Sequence, residues 1–206
     1  MNSYKKFLSI ASAVCLFLTI PIATNARLTN KGDMESLINA VISGASKSMG
    51  KAAKIGPVQW QWCTGTYYDS RRNLICLEEK FMKQLIDSEL GEAAVAFAVA
   101  HEYAHHVQFS QSKYIAKARL NTMRFELQAD CYAGVILASI PNVSFNEKDI
   151  KAMITTAAMI GDQEYDSHDH HGSGENRALA LRSGLRFGST KGQVKDAYYK
   201  MFCLQK

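Results

Sequence analysis

Residues 93–100 run Ala-Ala-Val-Ala-Phe-Ala-Val-Ala, and the next five are His101-Glu102-Tyr103-Ala104-His105. A helix that is apolar on every face has to be buried on every face. Whatever this chain folds into is therefore predicted to be built around a helix spanning residues 91–110, with small alanines that let neighbours approach closely. His101 and His105 lie at the polar end of that helix, four residues apart and so offset by only about 40° around its axis. Both imidazoles can reach one metal ion, and Glu102 between them is placed to take a proton from water. His-Glu-x-x-His is the pattern that a zinc hydrolase needs. By itself the pattern is short enough to recur by chance on a helix with two ordinary histidines.

A catalytic zinc site of this kind takes three protein ligands and leaves one position open. The third ligand is expected on a second helix that returns beside the first. Glu126 follows His105 by 21 residues, enough for one helix to end and another to run back antiparallel. Asp130 stands four residues further on, sharing a face with Glu126. Around them Ala129, Cys131, Ala133, Gly134, Val135, Ile136 and Leu137 predict another buried helix, over residues 116–140. Isolated carboxylates on such a helix are costly unless they are paired or bound to metal. Glu126 is thus the candidate third ligand, and Asp130 the candidate acceptor for the second ring N–H of a ligand histidine, His101. His106 falls on the far side of the helix, where a packing or hydrogen-bonding role is expected.

His101-Glu102-x-x-His105-His106-Val107-Gln108 followed by Glu126-Leu127-Gln128-Ala129-Asp130-Cys131-Tyr132-Ala133-Gly134 resembles the neutral zinc metallopeptidase family of bacteria, over about residues 55–190. More distantly it is similar to the wider gluzincin peptidases, including the prenyl-protein endopeptidase group. The resemblance implies a zincin-like metallopeptidase domain, mainly α with a small β-sheet (α+β), holding one Zn2+ per chain and acting on a protein or peptide substrate. It implies His101, His105 and Glu126 as ligands, Glu102 as catalytic base and Asp130 as support. His171-Gly172-Ser173-Gly174-Glu175-Asn176-Arg177 resembles a further family segment, of the form His-Gly-x-x-x-x-Arg, in which the histidine or arginine approaches the active site. His171 is then expected to donate a hydrogen bond to a developing oxyanion. Arg177 is expected either to do the same or to lock its loop through a carboxylate. His168 and His170 in the same loop are weaker metal candidates. A zinc-binding, chaperone-like or interaction protein with little peptidase activity is the competing reading, and the presence of Glu102 favours the enzyme.

The N-terminus has a different character. Lys5 and Lys6 precede an apolar run over residues 7–23, and Thr24-Asn25-Ala26 follows. That is the layout of a secretory signal peptide over residues 1–26. Retained, the run over 7–23 would instead anchor the chain to a membrane, although it is marginal for a span of about 20 residues. Residues 27–206 are expected to form one domain, periplasmic or secreted. Residues 1–26 carry two lysines and no acid, so cleavage lowers the net charge from +5 to +3. With no basic stripe interleaved with aromatics, nucleic acid is not an expected partner. Nothing in the sequence sets an oligomeric state. Cys63, Cys76, Cys131 and Cys203 remain after cleavage. Four cysteines in an exported chain predict two disulfides, with three possible connectivities; Cys63–Cys76, flanking a turn, is the favoured pair.

Elsewhere the spacing predicts a helix over 34–49 capped by Asp33, a strand over 58–62, and a hairpin over 66–77 turning at 69–73. A short helix is expected over 77–86, a third long helix to residue 160 opened by a Ser144–Glu147 capping box, and final helices over 175–185 and 193–201. Leu74-Ile75-Cys76-Leu77 is the candidate edge strand, to which an extended substrate could add.

Overall fold

The structure, a computed structural model, describes residues 31–49, 59–110, 122–140, 143–163, 171–191 and 203. The signal segment at 1–26, the helix expected over 193–201, and His168 and His170 lie outside the described residues. In chain order the elements are α1 (Lys31–Met49), β1 (Gln59–Cys63), β2 (Tyr67–Asp69), β3 (Leu74–Glu78), α2 (Glu79–Asp87), α3 (Gly91–Ser110), α4 (Thr122–Ser139), α5 (Glu147–Met159) and α6 (Gly174–Lys191). The protein is mainly α with one small three-stranded sheet, as the sequence predicts.

The apolar helix α3 is the axis of the fold. Every residue from Ala93 to Gln108 is buried, and α3 packs against α1, α2, α4 and α5 and touches β2 and β3. α4, buried from Glu126 to Leu137, lies between α3 and α6. Glycine sets its approach to α6. A methyl group on Gly134 would strike the Leu181 carbonyl oxygen, and one on Gly184 would strike the Cys131 carbonyl oxygen. Backbone atoms cannot swing aside as side-chain ends can, so Gly184→Ala must force the two helices apart. An expected loss of about 1–3 kcal/mol for such overpacking is measurable as a lower urea midpoint at unchanged slope. Because α6 carries Arg177, the same seam also positions part of the site described below.

The sheet order is β1-β3-β2, with β1 parallel and β2 antiparallel to β3. The strand at Leu74–Leu77 is therefore central, and its reading as a substrate-binding edge is corrected. Leu74, Ile75, Cys76 and Leu77 are all buried, and a continuous apolar run is the mark of a strand covered on both faces. Among the described residues β2 forms the edge on the α3 side. The β2–β3 hairpin turns where the sequence places it, with Asn73 at φ 52° and Asp69 accepting from the Arg71 and Arg72 amides at 2.9 and 3.0 Å.

Two helix starts differ from expectation. α1 begins at Lys31, so Asp33 lies in its first turn. α5 is capped by Asn146 rather than Ser144: Asn146 Oδ1 accepts from the Asp149 amide and Asp149 Oδ2 accepts from the Asn146 amide, both at 3.0 Å. The reciprocal box is the expected one, shifted two residues and closed by a shorter acid.

Disulfides join Cys63 to Cys76 and Cys131 to Cys203, with Cα–Cα separations of 5.4 and 5.7 Å. The first staples β1 to β3; the second ties the C-terminal region to the middle of α4. Closing loops with sequence separations of 13 and 72 residues is worth about 3 and about 4 kcal/mol in the chain-entropy account. Among the described residues no helix is long and apolar enough to cross a membrane.

Candidate metal centre

At the C-terminal half of α3 and the N-terminal half of α4, His101, His105 and Glu126 converge, with one ligand atom from each within 4.8 Å of the others. His101 Nε2 and His105 Nε2 are 3.1 Å apart. Glu126 Oε2 is 3.1 Å from His101 Nε2, and Glu126 Oε1 is 3.4 Å from His105 Nε2. All three residues are buried.

The partners on the far side of each imidazole fix what these nitrogens are. His101 Nδ1 lies 2.9 Å from Asp130 Oδ1; an ionised carboxylate only accepts, so Nδ1 carries the proton. His105 Nδ1 lies 2.8 Å from Gln108 Oε1. The Gln108 amide is oriented by its own Nε2, which donates to the Phe125 carbonyl oxygen and to Gln128 Oε1, each at 2.9 Å. Oε1 is thereby the acceptor, and His105 Nδ1 the donor. In its neutral form each ring presents a lone pair at Nε2, and the two Nε2 atoms face each other beside a carboxylate. Three acceptors at this spacing call for a positive charge between them, a proton or a metal ion. Donor atoms bound to a tetrahedral zinc at about 2.0–2.2 Å stand about 3.3–3.6 Å from one another, a few tenths of an ångström from the separations found. The donor set of two imidazoles and one carboxylate fits the ion.

The surrounding charges make the same demand. Burial alone would depress the His101 pKa, but the hydrogen bond and charge of Asp130, with those of Glu126, override it and raise it to about 10. Burial would likewise raise the Glu126 carboxyl, yet His105, His101 and His171 beside it hold it well below the usual carboxylate range. This pocket is set for a positive charge among the imidazoles, whether from a proton or from a metal ion.

Behind the cluster stands a buried ion pair. Asp130, fully enclosed, accepts from Arg177 Nε at 2.8 Å and Nη2 at 3.0 Å as well as from His101. Arg177, 3% exposed, gives its third nitrogen, Nη1, to the Ile160 carbonyl oxygen at 3.2 Å. Its guanidinium thus fixes Asp130 and anchors the start of α6 to the end of α5, with Nη2 also 3.6 Å from Glu126 Oε2. His171 is placed differently. Its side chain is half exposed, with Nδ1 3.8 Å from Glu126 Oε2, and its backbone N–H is tied to Asp162 Oδ2 at 2.8 Å. That carboxylate neighbour raises its pKa.

Glu102 lines the same cleft of about 460 Å3, together with His101, His105, Glu126, His171 and Arg177. Its Oε2 is buried with no hydrogen-bond partner among the described residues, and burial pushes its carboxyl pKa up. His106 faces away from the cluster. Its Nδ1 donates to the Tyr68 hydroxyl at 3.2 Å, and that hydroxyl in turn donates to Asn73 Oδ1 at 2.7 Å. Burial lowers the His106 pKa to about 4, so the ring is neutral and links β2 to α3.

The sequence reading did not assign Gln108, Gln128 or Phe125. Phe125 stacks on the His105 ring with centroids 4.9 Å apart and planes 19° from parallel. A signal was available for two of them: Gln108 is one turn past His105, and Gln128 is on the same predicted buried helix as Glu126, where a polar amide needs a partner.

A His-Glu-x-x-His helix packed beside a second helix that brings a carboxylate to the two imidazoles is the arrangement that the sequence resemblance implies. The chain belongs to the family described as "Putative neutral zinc metallopeptidase", which matches residues 50–189. Uncharacterized protein Rv2575 of Mycobacterium tuberculosis is 35% identical over 89 residues, covering 35% of this chain and 30% of that protein. Uncharacterized protein YpfJ of Escherichia coli K12 is 26% identical over 148 residues, covering 60% of this chain and 51% of that protein. The chain thus spans about half or less of the length of these relatives. No solved structure matches.

Proposed function

We propose that this chain is an exported zinc-dependent endopeptidase, with residues 27–206 as one metallopeptidase domain. The observation that carries the reading is Glu102 Oε2, buried and without a hydrogen-bond partner among the described residues, in the cleft that also holds the three converging donor atoms. A carboxylate oxygen with no partner among the described residues there is available to a water or substrate. What a zinc ion would supply on His101, His105 and Glu126 is Lewis acidity: it polarises a scissile carbonyl and brings the pKa of a water towards neutrality.

The residues of the chain do the rest. Glu102 takes the proton of the attacking water and hands it to the departing amine nitrogen as the C–N bond breaks; its raised pKa suits both halves of that transfer. His171, half exposed at the cleft and bearing a ring held towards its charged form by Glu126, donates to the oxygen that gains charge. Arg177, whose three nitrogens are engaged by Asp130 and Ile160, acts as the lock. Asp130 and Gln108 keep both imidazoles in the Nδ1–H form, with Nε2 free for the metal. Two disulfides support an oxidising compartment, periplasmic or extracellular.

The test is metal removal. The zinc-loaded chain is expected to cleave an unfolded protein, to stop when a chelator strips the ion, and to recover when zinc is returned. Cleavage that survives complete removal of metal contradicts the reading.

A further inference from the structure

Beside the metal cluster the cleft has an aromatic wall that the chemistry above does not use. Phe125 stacks on the ligand His105 at 4.9 Å. Phe109 meets Phe125 edge-on at 5.7 Å, and Tyr68 on the edge strand β2 packs on Phe109 at 5.7 Å. Phe81 from α2 lines the same cleft. The rings run without interruption from a metal ligand to the sheet edge. Among the described residues, the charged or ionisable groups on the cleft wall, tyrosines aside, are those gathered around the cluster itself: His101, Glu102, His105, Glu126, His171 and Arg177. Away from the cluster, a charged side chain would lose water and find no counter-ion. A large apolar side chain would bury its surface and meet ring faces and edges at favourable distances. A volume of about 460 Å3 lies within the range of about 300–1,000 Å3 in which clefts enclose much of a small ligand.

We propose that this wall is a specificity pocket selecting peptide segments with an aromatic or long aliphatic residue beside the cleaved bond, with Phe109 and Phe81 as specificity-determining residues. The proposal rests on the peptidase reading for its mention of a cleaved bond, but the recognition itself does not require turnover. Such residues are hidden in folded proteins, so the substrate class is extended or unfolded polypeptide. The edge of β2 lies beside the wall and can hold an extended segment by backbone pairing.

Binding and turnover separate the two ideas. The zinc-loaded full chain carrying Glu102→Gln is titrated against fluorescent Gly/Ser decapeptides that differ at one central position: Phe, Leu, Ala or Asp. Phe and Leu peptides are expected to bind roughly 10–100-fold more tightly than Ala, with Asp weakest, as burial of a large apolar side chain implies. Adding Phe109→Leu or, separately, Phe81→Ala is expected to shrink the Phe-over-Ala ratio several-fold at unchanged zinc content. Phe81 touches no metal ligand through the stack, so that variant still reports if Phe109→Leu disturbs His105. Equal binding of the Phe and Asp peptides, no binding of any, or a ratio untouched by both substitutions overturns the proposal. Wild-type chain incubated with the Phe peptide supplies the other arm. Selective binding with no cleavage sinks the peptidase reading and leaves the pocket standing; cleavage indifferent to the guest residue does the reverse.

Discussion

Glu102→Gln is expected to keep its metal and lose turnover by about 10²–10⁴-fold, the range for removing a positioned general base. The amide has the shape of the carboxylate and fits the same buried position. It leaves His101, His105 and Glu126 with the hydrogen bonds described above, so zinc content should not change. What it cannot do is accept and return a proton. The expected pattern is therefore a fall in kcat with little change in KM, since in the proposed chemistry Glu102 acts on the reacting water and not on substrate binding. Steady-state rates on a cleaved peptide, with zinc measured on the same sample, check both halves. A variant that keeps turnover within a few-fold of wild type removes Glu102 from the chemistry.

Asp130→Ala is the second large effect, and it acts on fold and metal together. Asp130 is completely buried and accepts from both Arg177 and His101. Its removal leaves a guanidinium that is 3% exposed with Glu126 Oε2, at 3.6 Å, as its remaining ion-pair partner, and leaves the His101 N–H without its acceptor. Breaking a buried pair by deleting one partner costs about 3–5 kcal/mol, because the remaining charge stays desolvated. Against a total stability of about 5–15 kcal/mol that is a large share. Loss of the histidine's support should also weaken metal binding by about 10–100-fold. Urea unfolding and competition with a graded chelator measure the two effects. Asp130→Asn keeps one acceptor oxygen and is expected to fall between wild type and alanine on both scales. An alanine variant that unfolds at the wild-type midpoint contradicts the account of the ion pair.

Much of the site's scaffold was legible because it depends on local periodicity. The alanine-rich run that predicts a helix over 91–110 gives α3 at Gly91–Ser110, and the four-residue spacings in His101/His105 and Glu126/Asp130 fix which side chains share a face. The partner of Asp130 was harder. Arg177 lies 47 residues from it in sequence, and the close packing of α4 on α6, which the Gly134–Gly184 seam permits, brings the two together. The sheet shows the same limit. The β2–β3 hairpin is set by a turn whose residues are adjacent, whereas the parallel pairing of β1 with β3 joins segments separated by the whole hairpin. Such pairing has no local pattern, so the central place of β3 is signalled in sequence only by its unbroken apolar run. The aromatic wall was invisible for a related reason. Phe81, Phe109 and Phe125 sit on three different helices, and nothing in their spacing says that they face one cleft.

Whether His101, His105 and Glu126 hold one zinc ion, as proposed, is read directly from metal content. Elemental analysis of the purified chain should give about one zinc per polypeptide. Glu126→Ala or His105→Ala should bring that figure close to zero while circular dichroism still shows a helical fold. A wild-type chain that purifies without metal and takes up none when zinc is supplied, or a stoichiometry indifferent to both substitutions, would contradict the proposal.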